Sequence, residues 1–217
     1  MTKIISTIFK KTKNYSFNIF QKFRNKIFGS KLVGNLGKTN IDNTTLEYLI
    51  EKLKISSFLD LGFGKGGMVF NAISKGLYAR GVEGDLDSIP VDWPLIFNVD
   101  YRNSFLIFHK KFDLCWSVEV LELIPEKFLD NIFKDIKNCK YALVTAAPPG
   151  WGGDGHVNEQ NEEYWLEKFN RYGFQIDNHM TKMIRAKSII KFGGVIRKQK
   201  KQFIQNRGLF FRNKLFL

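Results

Sequence analysis

Short apolar runs alternate with amphipathic stretches through the middle of the chain. Ile55, Phe58, Leu59 and Leu61 mark a first strand at about 56–61, and Tyr78-Ala79-Arg80-Gly81-Val82-Glu83 a second. Residues 95–100, 112–118 and 141–147 supply the third, fourth and fifth. Each run is short, bounded by turn residues and too apolar for a strand with one wet face. Between them apolar positions recur at helical spacing. Leu46, Leu49, Ile50 and Leu53 follow an Asn43 or Thr44 cap; further helices are predicted from Met68, over about 125–138 and over 162–172. A sixth strand opens at 173–176 and a last one covers Leu209-Phe210-Phe211. Alternation of this kind predicts an α/β fold with a doubly wound, mostly parallel, seven-stranded sheet and helices on both faces.

The junction after the first strand carries the chemistry. Asp60 stands near the strand's end, Gly62, Gly64 and Gly66 follow with Phe63 and Lys65 between them, and a helix begins at once. Glycine there allows positive φ, lets a ligand approach the backbone and aims free N–H groups at it. A nucleotide-type cofactor is expected. Gly62, Gly64 and Gly67 also fit the dinucleotide fingerprint G-x-G-x-x-G, and a glycine turn with no ligand is the plain alternative. Asp60 favours S-adenosylmethionine over NAD, because a carboxylate holds a cationic amino group and repels a pyrophosphate. Glu83 closes the second strand, 23 residues after Asp60, where a carboxylate can accept both ribose hydroxyls. Asp85 and Asp87 are its alternatives if the register slips by two. Asp100 closes the third strand as a candidate acceptor for an adenine amino group, or as a turn acid.

Beyond the fourth strand the chain reads Ser117-Val118-Glu119-Val120-Leu121-Glu122-Leu123-Ile124-Pro125. With Asp60 to Gly66 and Glu83, this segment resembles the class I S-adenosylmethionine-dependent methyltransferases over about residues 43–177. The resemblance implies a Rossmann-like fold, Glu119 near the methionine end of the cofactor or the acceptor, and Ser117 contacting cofactor through its backbone. Phe63 stands among the cofactor-binding residues where that family has Cys or Ser, and Leu123 where it has His. A second segment, Thr145-Ala146-Ala147-Pro148-Pro149-Gly150, then His156-Val157-Asn158-Glu159-Gln160 and Tyr164-Trp165, resembles a subgroup of small methyltransferase-like proteins. His156 lies in this polar loop as a candidate general base, with a loop-pinning role as its alternative. The N/D-P-P-Y/F motif of amide and exocyclic-amine methylation is not found after the fourth strand.

Composition narrows the setting. The 217 residues suit one domain over 41–217 with an appended segment at 1–40. Cys115 and Cys139 read as buried free thiols of a reducing compartment, hence a cytoplasmic protein. His109, His156 and His179 are scattered, so no metal is expected. Net charge is +13, and it is segregated: residues 1–41 hold nine Lys/Arg and no acid, and residues 178–217 eleven and no acid. The first 40 residues carry apolar positions at roughly helical spacing among these bases, as a basic amphipathic helix does. That reads as peripheral contact with an anionic membrane, or as a helix packed on the domain. The acceptor expected from the resemblance is an oxygen or nitrogen of a small molecule or saccharide. The rivals are a nucleic-acid (RNA or DNA) methyltransferase or binder using the basic termini, and a non-catalytic membrane-associated module.

Overall fold

The computed structural model describes residues 41–84, 95–153, 155–189 and 203–216. Its elements are α1 (Asn43–Leu53), β1 (Ser57–Leu61), α2 (Gly67–Ser74), β2 (Tyr78–Glu83), β3 (Ile96–Asn98) and β4 (Phe112–Ser117). Two 3₁₀ turns (Leu121–Leu123 and Glu126–Phe128) lead into α3 (Leu129–Ile136), β5 (Cys139–Val144) and α4 (Glu162–Arg171). Then come β6 (Phe174–Ile176), α5 (Asn178–Lys187), α6 (Phe203–Arg207) and β7 (Leu209–Asn213). The seven strands form one sheet in the order β3-β2-β1-β4-β5-β7-β6. All pairs from β3 to β5 are parallel, and β7 runs antiparallel to both β5 and β6.

Strand periodicity divides the core in two. Phe58, Leu114, Trp116, Tyr141, Leu143 and Phe210 face one side, where Leu46 and Leu49 of α1, Met68 and Val69 of α2, and Met180 and Ile184 of α5 cover them. Their neighbours Leu59, Leu61, Cys115, Ala142, Val144, Leu209 and Phe211 face the other, under Ile132, Phe133 and Ile136 of α3 and Trp165 and Phe169 of α4. β1 is buried at all five positions. Burial on both faces is why its sequence is apolar without alternation.

Several local expectations change. The first helix is capped by Asp42, whose carboxylate accepts from the Thr45 N–H (3.1 Å), and not by Asn43 or Thr44. The predicted helix over 125–138 begins as a 3₁₀ turn and becomes α-helical only at Leu129. The helix α5 lies in the basic stretch that the sequence left unassigned; Asp177 caps it, and Met180 and Ile184 are buried. Residues 1–40, with their expected amphipathic helix, and Asp85 and Asp87 lie outside the described residues.

Candidate active site

β1 is flanked by β2 on one side and β4 on the other, so the winding direction reverses at its carboxyl end. An open α/β sheet leaves a crevice at such a switch point. Here it is a cleft of about 620 Å³, lined by Gly62, Gly64, Glu83, Asp100, Glu119 and Leu123 among others.

The glycine turn forms one wall. Gly62, Gly64 and Gly66 all have positive φ (74°, 55° and 81°). A Cβ on Gly62 would stand 2.2 Å from Val120 Cγ2, so this glycine lets the turn close on the segment after β4. A Cβ on Gly64 would meet nothing within 4 Å, so its backbone borders open space. The turn's N–H groups are less available than the sequence implied. Gly62 and Phe63 donate to the Val82 carbonyl (2.8 and 3.3 Å), and Gly66 donates to that of Phe63 (2.9 Å). Gly64 donates to Glu83 Oε2 (2.7 Å), while Glu83 Oε1 accepts from Gly84 (2.9 Å). The Phe63 ring is buried on the α2 side of the sheet, so tightly against Gly81 that a Cβ there would clash.

Asp60 is buried one residue from the end of β1. Burial, and then the Glu83 charge, push its carboxyl well above the usual range. Asp100 is held in a turn by Arg102, whose Nη2 donates to Oδ2 (2.8 Å), and by Asn103 Nδ2 (3.0 Å). The Arg102 hydrogen bond is the main reason its pKa is lowered. An adenine amino group would share a carboxylate that already has these partners. Ser117 is fully buried at the end of β4, its carbonyl accepts from the Thr145 N–H (3.0 Å), and its hydroxyl has no partner.

Glu119 builds the other wall. It adopts φ 60°, a left-handed conformation uncommon for a residue with a Cβ. Two side chains hold it. Its N–H donates to Thr145 Oγ1 (2.9 Å), and that hydroxyl donates back to Glu119 Oε1 (2.8 Å). Arg207 Nη2 lies 2.8 Å from both carboxylate oxygens. The guanidinium also donates through Nη1 to the Ala146 carbonyl (2.6 Å) and lies 4.5 Å from the Trp151 ring centre. Arg207 stands 88 residues from Glu119, and no local pattern marks it. It also borders a second cavity of about 160 Å³ with Pro148, Gln160 and Trp165.

Glu122, three residues on, is fully buried, and neither oxygen finds a hydrogen-bond partner at normal geometry. Burial first, then the Glu119 charge, raise its pKa to about 8, with smaller opposing effects from backbone amides and Arg207. The Glu122 carbonyl accepts from both Val157 and Asn158 (2.9 and 3.0 Å), which ties the 147–160 loop to this segment. His156 lies in that loop, with Nδ1 2.7 Å from Glu159 Oε1; the same oxygen accepts from the Gly152 N–H (2.7 Å). Its Nε2 packs against Gly153, 2.3 Å from where a Cβ would be. Asn158 is buried and donates to the Ile124 carbonyl (3.2 Å). The structure thus brings Glu83, Asp100 and Glu119 to one cleft, with Asp60 beneath it. It leaves His156 to one side.

No protein-family model and no curated protein matches this sequence. Solved structures do. A TehB-like S-adenosylmethionine-dependent methyltransferase from Corynebacterium glutamicum is 19% identical, with 93% of this chain and 99% of that one covered and a TM-score of 0.52. Magnesium protoporphyrin IX methyltransferase from Synechocystis, with bound S-adenosylhomocysteine, is 12% identical over 96% and 99% of the two chains, also at 0.52. The fold is the class I methyltransferase fold. A putative methyltransferase of Haloferax volcanii, solved with its Trm112 activator, shares this methyltransferase fold at a TM-score of 0.55, with 12% identity over 79% and 89% of the two chains.

Proposed function

We propose that this protein is an S-adenosylmethionine-dependent methyltransferase acting on an oxygen or nitrogen of a small-molecule or saccharide acceptor. The observation that carries the reading is the cleft at the switch point, where Gly64, Glu83 and Glu119 face one space large enough for a nucleoside and an amino acid side by side. The residues present suit that cofactor. Glu83 has the position and chemistry to accept from ribose hydroxyls, and open space over Gly64 admits a close ligand. Asp60 is a buried carboxyl whose charge needs a cationic partner, which an α-amino group supplies. When bound, S-adenosylmethionine provides an activated methyl group.

The chain's own contribution is alignment and proton handling. Glu119 is assigned to the acceptor: its carboxylate borders the cleft, fixed by Thr145 and Arg207, and is suited to orient a hydroxyl or amine and take its proton. His156 is assigned to the loop, because Nδ1 engages Glu159 and Nε2 faces Gly153. Two buried free thiols, Cys115 and Cys139, support a reducing, cytoplasmic setting.

Calorimetry on the full chain tests the cofactor assignment. Saturable binding of S-adenosylmethionine and S-adenosylhomocysteine is expected, weakened about tenfold or more by Glu83→Ala. Asp60→Asn, which removes the buried carboxylate, should weaken both ligands as well. Absence of binding by both ligands would overturn the proposal.

A further inference from the structure

The edge of the sheet opposite the cleft carries a surface that the methyl-transfer reading does not use. Tyr78 and Phe112 begin β2 and β4 there, Cys139 begins β5, and antiparallel β7 ends there at Asn213. Ile107 and Leu215 are among the most exposed large apolar side chains of the described residues, at 76% and 75%, and Phe105 is exposed at 39%. Bases surround them. Lys134 Nζ lies 3.5 Å from the Phe105 ring centre. Lys111 Nζ lies 4.5 Å from that of Phe216, which joins the loop bearing Ile107 to the turn bearing Leu215. Lys110 and Lys111 close the loop, and residues 103–111 contain no acid. Asp113, at the same edge, turns its Oδ2 inward onto Ser56 and Ser57 (2.7 to 3.1 Å).

We propose that this amino-terminal edge of the sheet docks on an anionic lipid bilayer, with Ile107, Phe105 and Leu215 entering the interface and Lys110, Lys111 and Lys134 meeting lipid phosphates. Exposed aliphatic tips within a ring of lysines match a surface that is apolar within and anionic at its face. A nucleic acid offers the same phosphate charge but asks for aromatic platforms on which bases stack. The exposed aromatics here do not offer one: the Phe105 ring is capped by Lys134 at 3.5 Å, and the Tyr78 ring is stacked on Phe112 and flanked by Arg80 at 4.2 Å and Lys110 at 3.9 Å. Docking by this edge leaves the cleft at the opposite edge open.

Co-sedimentation of the full-length protein with phosphatidylglycerol–phosphatidylcholine vesicles, against phosphatidylcholine alone, tests the assignment. Binding is expected only with the anionic vesicles, falling as salt is raised. The double variants Ile107→Asp/Leu215→Asp and Lys110→Glu/Lys111→Glu should each lower the partition about tenfold or more. Both pairs are exposed, so melting temperature should stay at the wild-type value. No vesicle binding, or equal binding by wild type and both variants, overturns the proposal; equal binding would assign attachment to other basic parts of the chain. Salt-sensitive RNA or DNA binding lost in the same variants, without vesicle binding, overturns it in favour of nucleic acid. The assay contains no cofactor, so its outcome is independent of the methyltransferase reading.

Discussion

The two walls of the cleft are built on different principles. On one, the turn at 62–66 and Glu83 belong to a single β1–α2–β2 unit, and their joining bond, from the Gly64 N–H to Glu83, spans 19 residues. On the other, Glu119 is held by Thr145, 26 residues away, and by Arg207, 88 residues away. The first wall is made of left-handed backbone that glycine adopts without strain, with one side chain fastening it. The second is made of side chains that meet only when β4, β5 and α6 are packed together. Perturbing the first should damage fold and ligand affinity together. Perturbing the second should separate turnover from affinity.

Gly62→Ala is the harshest test of the first wall. A Cβ there meets Val120 at 2.2 Å in a backbone at φ 74°, and the combined clash and left-handed strain should cost about 3 kcal/mol. Gly64→Ala carries the strain without the clash and should cost about 1 kcal/mol. Denaturant unfolding of both variants checks this, and equal losses would mean that the approach to Val120 does not matter.

For the second wall, Arg207→Met leaves a half-buried carboxylate without its cation and should cost about 2 kcal/mol. Affinity for S-adenosylmethionine should change by less than about threefold, while methyl transfer, read as S-adenosylhomocysteine release, should fall about a hundredfold or more. Equal losses in affinity and turnover would return Arg207 to a purely structural role.

Glu122 links this wall to the loop and gives it a pH dependence. Its pKa in the folded protein is about 8, above the ordinary value of 4.5. Stability from this group is therefore complete below about pH 4.5 and is lost as pH rises towards 8, because the folded protein resists an ionisation that the unfolded chain undergoes freely. Glu122→Gln cannot titrate and should flatten that fall. At pH 8.5 the variant should be more stable than wild type by about 1–2 kcal/mol, or several degrees in melting temperature, and at pH 4.5 the two should agree. Asp135, raised to about 6 mainly by burial, and Asp60, also raised by burial, titrate alike in both proteins, so the difference between variant and wild type isolates Glu122.

The smallest effect concerns the loop. If the His156–Glu159 pair fixes residues 150–160, His156→Gln and Glu159→Gln should each cost less than about 1 kcal/mol and lower turnover to a similar, modest degree. A drop of about a hundredfold confined to the histidine variant, with loss of a pH limb, would restore the general-base role.

Much of this molecule is legible in one dimension. The strands at 57–61, 78–83 and 112–117 follow from apolar runs, and the turn follows from three glycines whose φ values no other residue adopts cheaply. The cap of α1 lies one or two positions before the expected Asn43 or Thr44, since Asp42, Asn43 and Thr44 are all good caps and only the helix's packing decides among them. Helix α5 could have been found from Asp177 followed by Met180, Thr181 and Ile184, but the charge of the stretch hid that signal.

The sheet's strands, the glycine turn and the placing of Asp60, Glu83 and Glu119 near strand ends can be read from one dimension, because periodicity and backbone stereochemistry act between near neighbours. Packing sets the rest: Arg207 clamps Glu119, the Glu122 carboxyl is buried, His156 turns to Glu159, and N–H groups of the turn go to Val82, Phe63 and Glu83. Those are matters of burial and distance between remote segments, which exist only once the two faces of the sheet are covered.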